Sequence, residues 1–312
     1  MTPRKRVSRA LPLVSARFAA VVDARHGGEI LALVDLERGR HVLARPPFSP
    51  EDPVAGSRDF DSWVRGYRGG WQFVGPNVGV PCTVGHEQHG FHGTASISSW
   101  RVEAATPKEV RLAWSGHGVG IRRRIAVNDE AVHVEVEARP LDERAPLLVA
   151  EHVAFGVELL DPEVAVEATA ATTYEWGDDG PFAPPEAAPA WPEALLLDGR
   201  VARVDRMREE SGSRLLTIAD LEEGRARVVN QDRGLGYELE WETAWLRHLW
   251  LWREERTAGG PWRGRASVLV LEPASVPHDR GLAYAIERDE ARWLEQGQRA
   301  SYALSLRPVD IR

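Results

Sequence analysis

Apolar and polar residues alternate with a period of two in short runs along much of the chain. Residues 131–138 (AVHVEVEA), 226–230 (ARVVN), 236–241 (GYELEW) and 300–306 (ASYALSL) are examples. Such alternation sends successive side chains to opposite faces, one for a core and one for water, as in a β-strand. Gly, Pro, Asp and Asn separate the runs, the punctuation expected of an all-β sandwich or barrel. Helical periodicity is short; residues 59–68 and 289–295 predict single helical turns. The compositional shift at residues 177–192 (GDDGPFAPPEAAPAWP) excludes regular structure, because proline removes a donor and fixes φ. Strand-like patterning has the same character on both sides of it. A long loop inside one domain spanning residues 1–312 is therefore favoured over a linker.

The remaining composition narrows the class. A chain of 312 residues can bury a large core. Its formal charge is −8, with basic residues dispersed, which argues against nucleic-acid binding. Arg122, Arg123 and Arg124 read as a solvated strand face. No run of about 18 apolar residues occurs, so no membrane span is expected. Arg9, Pro12 and Arg17 interrupt the apolar part of the N-terminal segment, so it does not read as a signal peptide. Cys82 is the single cysteine and reads as a small buried hydrophobe in a reducing, cytoplasmic setting. Twelve tryptophans are many, and Trp241, Trp245, Trp250, Trp252 and Trp262 fall together. They fill a β core or line a pocket, where an indole face suits the C–H face of a sugar.

Three stretches carry candidate chemistry. Residues 85–93 (GHEQHGFHG) put His86, His89 and His92 among glycines. A metal reading needs the histidines on one face; Gly85, Gly90 and Gly93 disfavour a helix, and on a strand a spacing of three alternates faces. No metal is expected; the glycines suggest backbone that approaches something closely. Residues 151–156 (EHVAFG) set Glu151 and His152 between two strand-like runs, 146–150 and 157–160, as a core pair or as acid–base groups. Residues 267–273 (SVLVLEP) end an apolar strand on Glu272. Poor solvation there is expected to raise its pKa and suit it to general-base work.

These stretches, in this order, resemble the aldose 1-epimerase (galactose mutarotase-like) superfamily. Residues 18–44 (FAAVVDARHGGEILALVDLERGRHVLA) resemble the family opening. Gly69-Gly70-Trp71 with Gly75-Pro76-Asn77 resembles the glycine-rich segment that lines the sugar site. His92-Gly93, with Trp100 eight residues after the histidine, resembles its His-Gly motif; His89 is also followed by glycine. EHVAFG resembles the second histidine motif, at His152. Residues 249–252 (LWLW) and 261–264 (PWRG) resemble the approach to the motif of the catalytic glutamate, here Glu272. Residues 293–298 (WLEQGQ) resemble the lead into the last strand. The Asn-Arg pair usual before the first histidine is missing, and Arg68 is the best substitute. Asp178 and Asp179 lack a motif that would make either the family's substrate-binding aspartate.

The resemblance implies a large antiparallel β-sandwich, the galactose mutarotase-like supersandwich. It implies a sugar substrate and no cofactor, in a monomer or homodimer. Glu272 would take the proton of the anomeric hydroxyl, His152 would protonate the ring oxygen, and His92 would hold the developing charge. His89, Arg68, Trp71, Asn77, Trp250 and Trp252 would bind substrate. Three other readings stay open: a non-catalytic carbohydrate-binding protein, an isomerase or lyase of an unusual sugar or sugar acid, and a metal-dependent hydrolase using His86, His89 and His92.

Overall fold

A computed structural model describes residues 10–48, 50, 59–160, 164–174, 182, 189–206 and 212–311. Within these, the alternating runs form strands at Val132–Pro140, Leu235–Trp241 and Ala300–Pro308, and residues 226–230 close the long strand Gly212–Asn230. The main sheet has sixteen strands among the described residues. Its path runs Ala10–Val14, Phe18–Asp23, Glu29–Asp35, Trp71–Val74, Ala150–Phe155, Ser267–Ala274, His248–Glu255, Gly212–Asn230. It continues through Leu235–Trp241, Ala300–Pro308, Val132–Pro140, Val119–Val127 and Glu109–Gly116 to Arg101–Ala105. Every pairing along it is antiparallel.

The sheet folds over until its two ends meet. Val14 N donates to Pro107 O (2.7 Å), and Ser15 Oγ donates to Asn128 O (2.9 Å). Residues from both halves, such as Phe18 and Val153 with Leu112 and Ile121, then share one core. The fold is thus the large, nearly closed antiparallel β-sandwich.

Four neighbouring strands bury both faces: Trp71–Val74, Ala150–Phe155, Ser267–Ala274 and His248–Glu255. A strand covered on both sides has no wet face, so it reads as a nearly continuous apolar run instead of alternating. Their inner face packs Trp71, Phe73, Val153, Phe155 and Leu271 into the sandwich core. Their outer face is covered by the Phe60–Arg65 helix, whose Trp63 and Val64 pack with Phe91, Ala154, Trp252 and Val270. Asp59 starts this helix by accepting from Ser62 N (2.7 Å), a side-chain N-cap.

Several local expectations change. Residues 157–160 form a helical turn, not a strand, with Leu159 N and Leu160 N donating to Gly156 O (3.0 and 3.2 Å). Four apolar residues cannot distinguish the two periods. The helix expected at residues 289–295 lies earlier, at Gly281–Glu287, where Leu282 and Ala285 are buried three apart; Arg292–Glu295 is a strand paired with Arg144–Leu147. Pro273 does not end its strand, since Ala274 still pairs with Ala150 and His248. Arg122 and Arg124 are solvated as expected, but alternation turns Arg123 inward, where it is 0% exposed. Cys82 is half-buried, not enclosed. Of the proline-rich stretch 177–192, residues 177–181 and 183–188 lie outside the described residues, Asp178 and Asp179 among them. So does Arg9.

Candidate active site

Strand register brings the chemistry together. Ala150 faces Ala274 and Val153 faces Leu271, which sets His152 opposite Glu272 across an antiparallel pair. On the next strand Trp250 is opposite Glu272. On the other side Gln72 is opposite His152. Directly opposed residues point to the same face, so these four form one row on the outer face. Alternation explains why EHVAFG divides its two titratable groups: His152 turns to the outer face and Glu151 into the sandwich core.

The row meets a cavity of about 340 Å³, at the small end of the ~300–1,000 Å³ usual for ligand sites. Phe60, Trp63, Phe91, Trp250 and Trp252 give it aromatic walls, and His92, His152, Glu272, Ser213, Arg214 and Asp279 give it polar groups. Residues 92, 152 and 272, far apart in sequence, therefore line one concavity. One ligand atom from each lies within 4.8 Å of the other two.

Each group is held in a defined state. His152 Nδ1 lies 3.0 Å from Glu272 Oε2, and its Nε2 lies 3.2 Å from the Tyr67 hydroxyl. Glu272 Oε1 is buried without a hydrogen-bond partner among the described residues, and the residue is 2% exposed. An unpaired buried carboxylate oxygen is costly and favours any donor brought into the cavity. Burial pushes the Glu272 carboxyl up, but the attraction and hydrogen bond of His152, aided by His92, more than offset it; the net direction is down. This reverses the expectation of a raised value, because the strand end carries an imidazole partner. The Tyr67 phenol is driven well above its ordinary value by burial and by the charges of Glu272 and Glu29, so it stays protonated.

His92 is presented by strained backbone. Its φ is +57°, and Gly93 follows at +73°. A Cβ at Gly93 would lie 2.2 Å from Gly75 O, so only glycine fits. Gly79 N donates to His92 Nδ1 (3.2 Å), which places the ring proton on Nε2. Burial lowers the His92 pKa to about 4, despite the Glu272 charge. His92 is thus a neutral donor, and its ring packs T-shaped with Trp63 (4.8 Å between centroids, 81°).

The other residues singled out in the sequence fall in different places. Trp252 lines the cavity, its Nε1 donating to Ser213 Oγ (2.8 Å); Trp250 lines it with its Nε1 tied to Val276 O (3.0 Å). Trp71 points to the opposite face and donates to Glu151 Oε2 (2.7 Å), in the core. Asn77 is fully buried behind the wall. Its Nδ2 donates to Val80 O and Gly90 O (2.9 Å each), and its Oδ1 accepts from Leu282 N (2.6 Å), so it fixes the loop that carries His92. Arg68 pairs with Asp23 (2.8 Å) and Glu29 (3.1 Å), away from the lining. His89 lies against His117 (ring centroids 4.3 Å apart), also outside the lining. Sequence reasoning missed Trp63 and Tyr67, although both follow the Asp59 cap at a spacing of four, one face of a helix. Arg214, Ser213 and Asp279 carried no local signal.

The fold is a β-sandwich of the galactose mutarotase-like type. Comparison with solved structures bears out that fold. A galactose mutarotase-like protein from Lactobacillus casei ATCC 334 superposes with a TM-score of 0.65 at 14% identity, over 96% of this chain and 100% of that one. A protein of Escherichia coli K12, named only provisionally as an aldose 1-epimerase, gives 0.66 at 14% identity over 97% and 99%. A protein from Synechocystis sp. PCC 6803 gives 0.69 at 16% identity over 100% and 98%. No protein-family model matches the chain, and no curated protein matches it by sequence. Among the described residues, no helix is long and apolar enough to cross a membrane.

Proposed function

We propose that this protein is an aldose 1-epimerase-type isomerase that interconverts sugar anomers by opening and reclosing the ring. The observation that carries the reading is that Glu272, whose Oε1 has no hydrogen-bond partner among the described residues, lines an aromatic-walled cavity together with His152 and the neutral donor His92. Glu272 Oε1 takes the proton of the C1 hydroxyl. The C1–O1 bond becomes a carbonyl as the bond from C1 to the ring oxygen breaks, and His152 gives that oxygen a proton. The ring oxygen takes the place of the Tyr67 hydroxyl at Nε2. Rotation about C1–C2 and reversal of both transfers close the ring on the other face. His92 Nε2–H steadies the charge on O1, and Trp63 or Trp252 packs on the C–H face of the sugar. Asp279 and Arg214 meet other hydroxyls. A base held low stays ionised over the working pH range, and its pairing with an imidazole acid divides the two roles.

Polarimetric relaxation of α-glucose, α-galactose and their phosphorylated forms tests this. Wild type should accelerate relaxation of at least one, and Glu272→Gln or His152→Ala should lose about 10²–10⁴-fold when assayed well below the melting temperature of each folded variant. A Glu272→Gln enzyme as fast as wild type refutes the base assignment. Binding of a sugar by wild type with no acceleration makes the protein a carbohydrate-binding module.

A further inference from the structure

We propose that Glu87, His89 and His117 form a binding site for a divalent cation of the zinc type, apart from the pocket. One nitrogen of each imidazole and one Glu87 oxygen lie within 4.8 Å of one another. None of the three lines the cavity, and the proposal does not depend on the mutarotation reading.

The local fold explains the convergence. Cys82–Val84 and Glu87–His89 form a two-stranded sheet of their own, off the main sheet. Glu87 and His89 are two apart on a strand and share a face. His117 sits in the tight turn between the Glu109–Gly116 and Val119–Val127 strands of the main sheet. A cation would therefore staple the small sheet to the large one. The chain passes from His89 through Gly90 and Phe91 to His92, so the staple would also anchor the segment that presents His92.

The donor set selects the ion. Two imidazoles with one carboxylate match zinc sites that keep a fourth position for water, whereas Ca²⁺ and Mg²⁺ prefer oxygen throughout. His117 already has the outer partner such ligands need: its Nε2 lies 2.9 Å from Thr94 Oγ1, which leaves Nδ1 directed at Glu87 Oε2, 3.0 Å away. A metal would replace the proton shared between that nitrogen and the carboxylate. His89 is almost fully buried, yet its Nδ1 has no hydrogen-bond partner among the described residues. Such a nitrogen needs a reason in a native structure. Zinc ligands at 2.0–2.2 Å from the ion stand about 3.4 Å apart, so the Glu87–His117 pair, at 3.0 Å, must open slightly, and separations that reach up to 4.8 Å must close by at most about 1.4 Å. The Glu87 side chain, 55% exposed, is free to swing in.

The test is calorimetric titration of tag-free, chelator-stripped protein with Zn²⁺ alone, together with melting temperatures with and without Zn²⁺. Wild type should bind one Zn²⁺ per chain and melt higher with it. Glu87→Gln and His117→Gln should each weaken binding at least about tenfold, and Thr94→Val about 10–100-fold through the lost outer hydrogen bond. Glu272→Gln should bind as wild type does. Glu87 is at the surface, so its variant folds and the comparison stays decisive. The proposal falls if no saturable one-to-one binding occurs. It falls also if Glu87→Gln and His117→Gln bind as wild type does, or if Glu272→Gln alone abolishes binding.

Discussion

The buried ion pair behind the pocket offers a quantitative test of how the two layers are joined. Arg123 Nη2 donates to Glu151 Oε2 (2.7 Å) and its Nη1 to Gly28 O (3.1 Å). Both side chains are 0% exposed. Arg123→Met keeps most of the stem volume but removes the counter-charge. Among the described residues Glu151 then retains the Trp71 indole (2.7 Å) and the Tyr302 hydroxyl (3.3 Å). Leaving one member of a buried pair behind costs about 3–5 kcal/mol. At roughly 2 °C per kcal/mol for a chain of this size, the melting temperature should fall about 6–10 °C. The pH dependence has a definite sign. In the wild type, burial already raises the Glu151 pKa against the opposing pull of Arg123, and removing the guanidinium raises it further. A carboxyl whose folded value exceeds its unfolded ~4.3 contributes stability in full below that pH and loses it as pH rises through the folded value. The deficit of Arg123→Met should therefore be larger at pH 8 than at pH 5 in urea unfolding. Arg123→Met with Glu151→Gln, which leaves no charge behind, should recover about 1–4 kcal/mol of the loss. A single-variant deficit under about 1 kcal/mol at pH 8, or one equal at both pH values, refutes the reasoning.

Two further predictions concern the loop that carries His92. The folded pKa of His92, about 4, lies below the ordinary imidazole value of 6.5, so the unfolded chain takes the proton first, and stability should fall as pH drops from about 6.5 to about 4. The shift is worth up to about 3 kcal/mol at 1.36 kcal/mol per unit, and His92→Gln should flatten the stability–pH profile in that window; an unchanged profile contradicts a buried neutral ring. Gly93→Ala forces a Cβ to 2.2 Å from Gly75 O at φ +73°, whereas Gly39→Ala, at φ +62°, meets nothing within 4 Å. Denaturation should show Gly39→Ala costing about 1 kcal/mol and Gly93→Ala clearly more, with the proposed mutarotation lost; equal costs would show that the close approach does not matter.

The sequence by itself determined the class of fold. Two-residue alternation in the runs at 131–138, 236–241 and 300–306 fits a pleated sheet, and each became a strand; the first and last bury alternate residues, whereas 236–241 is covered on both faces. It also ordered the motifs at 92, 152 and 272, because a chain can be compared with a family one segment at a time. What it could not decide is which face each residue takes and what stands opposite. Strands buried on both sides carry no alternation to read, so nothing in EHVAFG said that His152 turns to the cavity while Glu151 turns to the core. Trp71 and Asn77 sit in glycine-rich segments that read as pocket lining. Register sent the first inward to Glu151, and the capping of the Gly281–Glu287 helix claimed the second. Tyr67, Asp279, Arg214 and the pairing of His89 with His117 all come from contacts between distant segments. Tertiary structure alone decides these, because burial, charge and hydrogen bonding depend on what packs alongside and not on neighbours in sequence. The pKa of Glu272 is the plainest case: the apolar strand predicted a rise, and an imidazole 120 residues away turned it into a fall.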